Sequence, residues 1–110
     1  MATKRKQIDP EIKKQLLAMK KRMKQESIIV SDYYLFGSRA KGNAFPESDI
    51  DVAVVVPTLT KKNYDTLMRK VYILAHGVDP RFETHLVAKK DIANKYMTIP
   101  SAVREHGIAF

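Results

Sequence analysis

The chain contains no cysteine, which excludes a disulfide framework and a thiolate metal centre. It also lacks any apolar run approaching the roughly 20 residues that span a bilayer, and its basic, polar start carries no signal-peptide pattern. These absences lead to the expectation of a soluble cytoplasmic protein that makes no membrane contact. The histidines His76, His85 and His106 do not form a metal cluster by spacing, and there is no internal repeat. With 110 residues and 45% hydrophobic content, the chain is sized for one small domain with a modest core.

Charge is present in excess but unevenly. The net charge is +8, and residues 1–24 hold nine Lys or Arg (Lys4, Arg5, Lys6, Lys13, Lys14, Lys20, Lys21, Arg22, Lys24) against Asp9 and Glu11, leaving the rest nearly neutral. Residues 9–26 read as a helix: Asp9 can cap it, Pro10 suits its first turn and Glu11 its positive end. Ile8, Ile12, Leu16, Met19 and Met23 fall on one apolar stripe at helical spacing. The basic residues off that stripe form a solvated face or, alternatively, a docking surface for nucleic acid or an acidic partner. The expected organisation is a basic helix in residues 1–26 packed on a body of residues 27–110.

The densest chemistry lies in Gly37-Ser38-Arg39-Ala40-Lys41-Gly42, followed by Ser48-Asp49-Ile50-Asp51 and the run Val52-Ala53-Val54-Val55-Val56. The β-branched run predicts a strand over 49–56, buried on both faces. Side chains two apart on a strand share a face, so Asp49 and Asp51 project together. Paired carboxylates repel unless a cation lies between them, and Mg²⁺ binds through one or two carboxylates plus substrate phosphates. The glycines let backbone N–H groups approach phosphate closely and form an anion-binding nest. Ser38 can donate its hydroxyl to a phosphate oxygen, while Lys41 and Arg39 can neutralise the outer phosphates.

A first strand is expected within Ile28 to Phe36, ending at the Gly-Ser turn. Pro57 breaks the second. A helix from about Lys61 to His76 presents Tyr64, Leu67, Met68, Val71, Leu74 and Ala75 as core, and Gly77 ends it before the Asp79-Pro80 turn. A third strand carries Glu83, followed by a short helix from Lys89 to about Tyr96. Strands alternating with helices give an α/β domain with a small mixed sheet. His85 shares Glu83's face by period two and could lie near the same site, though a role there is the lesser reading. Tyr33 and Tyr34 precede the Gly-Ser turn and read as core.

The order of these parts resembles a minimal nucleotidyltransferase domain of the DNA polymerase β-like superfamily, of the antitoxin type. The resemblance covers most of the chain and makes residues 27–110 the catalytic domain. It implies a third carboxylate on a later strand, matched here by Glu83 in Phe82-Glu83-Thr84-His85-Leu86-Val87-Ala88, and a closing helix and final strand within 100–110. It assigns Asp49, Asp51 and Glu83 as catalytic and metal-binding residues, with two Mg²⁺ ions, and Gly37, Ser38, Arg39, Lys41 and Gly42 as nucleotide-binding residues. Two departures stand out. The family's third carboxylate is commonly Asp, and it often has Arg where this chain has Lys41, which keeps the charge but loses a bidentate fork.

The implied activity is transfer of a nucleoside monophosphate, AMP from ATP, to an acceptor. So small a domain has little chain left for an acceptor pocket. The resemblance supplies a HEPN-type protein as partner, in a toxin–antitoxin pair. A second copy of the chain could also supply the acceptor surface. The alternatives are a non-catalytic antitoxin that keeps the fold, and a nucleic-acid-binding module using the basic helix, whose affinity would fall steeply with salt.

Overall fold

Asp9 Oδ1 accepts the Glu11 N–H at 2.9 Å and Pro10 takes the first turn, so helix α1 runs Pro10–Gln25. The computed structural model describes residues 8–110; Lys4, Arg5 and Lys6 of the basic segment lie outside them. Ile12, Leu16, Met19 and Met23 are buried along one stripe, whereas Lys13, Lys14 and Lys21 are exposed. Lys20 departs from the expected solvated face. Its Nζ donates to the Phe110 carbonyl at 3.0 Å and lies 5.3 Å from the Tyr33 ring centroid, fastening α1 to the far end of the chain.

The remaining elements are β1 (Asp32–Phe36), α2 (Ser38–Lys41), β2 (Ile50–Val56), α3 (Lys61–Val78), β3 (Phe82–Ala88), a 3₁₀ turn (Lys89–Asp91), α4 (Thr98–His106) and β4 (Ile108–Ala109). The four strands form one mixed sheet in the order β3-β2-β1-β4. β2 pairs parallel to β3 and antiparallel to β1, which pairs antiparallel to β4. This is the α/β architecture with a small mixed sheet and flanking helices.

Central β2 is buried on both faces, as its continuous apolar run requires. Val52, Val54 and Val56 join Leu16, Met19, Val71 and Phe82 beneath α1 and α3. Ala53 and Val55 face the other way, with Phe36, Val87 and Val103 of α4. Each valine removed from water in this way contributes about 1.5–3 kcal/mol, offset by the entropy of ordering the chain.

Three local expectations change. α3 does not stop at Gly77 but continues to Val78, where the Asp79 N–H bonds back to the Ala75 carbonyl. Gly77 therefore sits inside the last turn of α3, where it lies near the flexible end of the Arg22 side chain of α1. Tyr64 is 43% exposed instead of core, because only Val71 and Ala75 of α3 are fully covered. After β3 the chain makes a 3₁₀ turn rather than a helix to Tyr96, and the helix comes later as α4. Thr60 and Asn63 cap the start of α3 reciprocally, with Asn63 Oδ1 accepting the Thr60 N–H at 2.7 Å. Among the described residues no helix is long and apolar enough to cross a membrane.

Candidate active site

The carboxylates gather on the sheet face that α4 covers only in part. Parallel pairing sets Asp51 of β2 beside Glu83 of β3, and antiparallel pairing sets it beside Phe36 of β1. Period two carries His85 onto the same face. His85 Nε2 lies 3.8 Å from Asp51 Oδ1 and 3.7 Å from Glu83 Oε1, and one donor atom of each residue falls within 4.8 Å of the others. The His85 ring packs against Phe36 with centroids 5.3 Å apart.

Asp49 stands one residue before β2 and is exposed. A hydrogen bond with its side chain is the main reason the Glu83 carboxyl holds its proton above the usual carboxylate range. Partial burial and the charges of Asp51 and Asp49 push the same way, and His85 opposes them. Three acidic groups therefore crowd one corner, and a proton or a cation relieves the repulsion.

The glycine-rich turn lies directly against this corner. Gly37 has φ 72° and ψ −154°, a region that only glycine enters readily. A Cβ there would run into Asp51 Oδ2, so the turn can touch the carboxylate only because position 37 has no side chain. The Gly37 N–H donates to His106 Nε2 at 3.1 Å, tying the turn to the end of α4. Ser38 opens α2, Lys41 is exposed at its end, and Gly42 closes it in the left-handed conformation at φ 82°.

Arg39 is placed differently from the rest of its motif. Its Nη2 donates to the carbonyls of Pro46 at 3.0 Å and Ser48 at 2.9 Å, so the guanidinium braces the loop leading to Asp49. Arg81, which sequence reading did not single out, reaches the same loop and donates from Nη1 to the Pro46 carbonyl at 2.8 Å. Its other end forks onto buried Asp79, with Nη2 to Oδ2 at 2.7 Å. That hydrogen bond chiefly holds the Asp79 carboxyl below its ordinary range.

His85 carried a signal in its spacing from Glu83. His106 and Arg81 carried none, since their partners are distant in sequence. A concavity of 380 Å³ lies around Ile28, Pro57, Leu67 and Lys70, at the other end of β2 from Asp51. Glu26 lines it, but Asp49, Asp51 and Glu83 do not.

A glycine turn abutting a carboxylate corner on a small mixed sheet is an arrangement suited to nucleotidyl transfer. Residues 12–105 match the nucleotidyltransferase domain family, and the chain belongs to that family, an enzyme class that uses divalent metal. A search of curated proteins finds no match. The fold is similar to that of a Sulfolobus solfataricus protein described as a nucleotidyltransferase, with 17% identity over 100% of this chain and 90% of that one, TM-score 0.56. It is also similar to a toxin–antitoxin structure with AMP-PNP, with 25% identity over 87% of this chain and 69% of that one, TM-score 0.54. A mutant of the toxin–antitoxin MntA–HpeT is similar at 25% identity over 83% and 68%, TM-score 0.51. The likeness is thus to the minimal, toxin–antitoxin kind of nucleotidyltransferase.

Proposed function

We propose that this chain transfers AMP from ATP to a hydroxyl of a partner protein, using Asp49, Asp51 and Glu83 with divalent metal. The observation that carries the reading is the close approach of Gly37 to Asp51, because a turn suited to phosphate then lies against a carboxylate suited to metal. Asp49 and Asp51 offer an all-oxygen donor set of the kind that holds Mg²⁺, and Glu83 with Asp51 completes a second position. Divalent metal bound there would offset the charge on the attacking and leaving oxygens.

The residues divide the remaining work. Ser38 and the turn's backbone orient the triphosphate, and exposed Lys41 offsets charge on the departing pyrophosphate. The acceptor oxygen forms a bond to the α-phosphorus as the bond to pyrophosphate breaks. Glu83 would take the acceptor's proton. Arg39 and Arg81 brace the loop that delivers Asp49.

The toxin–antitoxin likeness supports a partner protein as acceptor, a HEPN-type protein in the sequence expectation. The exposed bases Lys13, Lys14 and Lys21 on α1 support an acidic docking surface on that partner. The test uses the chain purified with whatever protein its host supplies. Label from α-³²P-ATP should appear on the partner, label from γ-³²P-ATP should not, and chelation should abolish transfer. Label on a small molecule alone, or on the partner from γ-³²P-ATP, would overturn the reading.

A further inference from the structure

The imidazole of His85 has no part in the nucleotide chemistry described so far, yet it faces both Asp51 and Glu83. Its Nε2 stands 3.8 and 3.7 Å from their oxygens, longer than a hydrogen bond. Adjacent ligands on an octahedral ion with bonds of about 2.1–2.2 Å lie about 3 Å apart, and opposite ones about 4.3 Å. Three donors within 4.8 Å of one another can therefore close on a single ion by small side-chain rotations, with no movement of the sheet.

The backbone already sets this arrangement. Asp51 and Glu83 are register partners on neighbouring parallel strands, and His85 follows Glu83 on the same face. Phe36, the other register partner of Asp51, packs its ring against the imidazole and directs it. All three residues are solvent-accessible, with side-chain exposures of 23% for Asp51, 26% for His85 and 52% for Glu83. An ion and its waters can reach them.

We propose that His85 is a metal ligand, making the Asp51–Glu83 position a two-carboxylate, one-imidazole centre that favours first-row transition ions over Mg²⁺, with Mn²⁺ as the paramagnetic probe. This rests on the reading of Asp51 and Glu83 as metal ligands. The chemical reason is ligand softness. Carboxylate and water suit Mg²⁺, whereas an imidazole nitrogen raises affinity for first-row transition ions. The Asp49–Asp51 position stays all-oxygen, so the two positions would differ in the ion they select.

The test reads metal binding directly, without turnover. Mn²⁺ on the wild-type protein should show electron spin-echo modulation from a directly bound histidine nitrogen, and His85→Gln should remove it. Calorimetry should find the ratio of Mn²⁺ to Mg²⁺ affinity lowered about tenfold or more in His85→Gln, whose amide oxygen returns the site to an all-oxygen set. A bound Mn²⁺ without nitrogen modulation in the wild type would overturn the proposal, even if His85→Gln failed to fold. An unchanged affinity ratio in a folded His85→Gln variant would do the same. Asp51→Asn separates the two layers. If it weakens both ions while His85→Gln changes nothing, only the imidazole assignment fails. If Asp51→Asn leaves both ions bound as before, the carboxylate site itself is wrong.

Discussion

Arg39 and Arg81 donate to the same carbonyl oxygen, that of Pro46, from Nη2 at 3.0 Å and Nη1 at 2.8 Å. One guanidinium comes from the short helix after the glycine turn and the other from the turn just before β3. Between them they fix the loop that ends at Asp49. Removing either should loosen residues 43–48 and misplace that carboxylate, and small misplacements of reacting groups are costly. Arg39→Ala and Arg81→Ala should each lower the transfer rate by roughly tenfold, and the double variant by less than the product, because they share an acceptor. Hydrogen exchange in 43–48 should rise in all three. Unchanged exchange, or fully multiplicative losses, would show that the shared carbonyl is incidental.

Asp79 underlies this brace. It is 5% exposed and takes the fork of Arg81, with Gln15 of α1 donating to it at 3.4 Å. Asp79→Ala should cost about 2–3 kcal/mol, since it strips a partly buried guanidinium of its partner. The pH dependence follows from the lowered folded-state value. The stabilisation is complete above the ordinary carboxylate value of 3.8 and is lost as pH falls through the lowered one. Acid unfolding should therefore be shallower in Asp79→Ala, as followed by circular dichroism.

Glu83 behaves oppositely. Its proton is held more tightly in the folded state, chiefly through the hydrogen bond with Asp49. Metal-free protein should thus lose stability as pH rises from the ordinary value of 4.5 through the raised one, and the loss should persist at neutral pH. Glu83→Gln should melt at a slightly higher temperature than the wild type without metal, by at most about 1 kcal/mol given solvent screening. Added divalent metal should narrow the gap. A destabilised Glu83→Gln at neutral pH would show that the carboxylates do not repel as described.

Gly37→Ala should damage nucleotide binding more than folding. Its φ of 72° disfavours any side chain, at a cost of about 1–3 kcal/mol, and the new methyl would meet Asp51 Oδ2. Calorimetry with ATP and metal should show affinity reduced tenfold or more, while the melting transition remains cooperative. Wild-type affinity in Gly37→Ala would remove the turn from the site.

The face of Asp51 was legible because strand period is a local signal, whereas Glu83 was matched through the family resemblance. β2 announced itself through its valines, and its two-sided burial followed. What stayed hidden depended on partners far along the chain. Arg39 sits inside the glycine motif, yet its guanidinium goes to carbonyls that only the folded loop presents. Lys20 looked like one base among many until Phe110 came back beside it. Gly77 resembled a helix stop, but α3 runs on to Val78 and closes with the Asp79 N–H on the Ala75 carbonyl. Local pattern says which residues share a face, and tertiary packing decides what that face meets.

Nucleotidyl transfer is proposed to depend on both Asp49 and Asp51. That dependence is tested most directly by single-turnover transfer from α-³²P-ATP in the wild type, Asp49→Asn and Asp51→Asn, each with its melting temperature. Each substitution keeps the side-chain shape at an accessible site and removes one anionic ligand. Losses of roughly a hundredfold or more are expected in both variants, with melting within a few degrees of the wild type. Transfer at the wild-type rate by a folded Asp51→Asn variant would contradict that dependence.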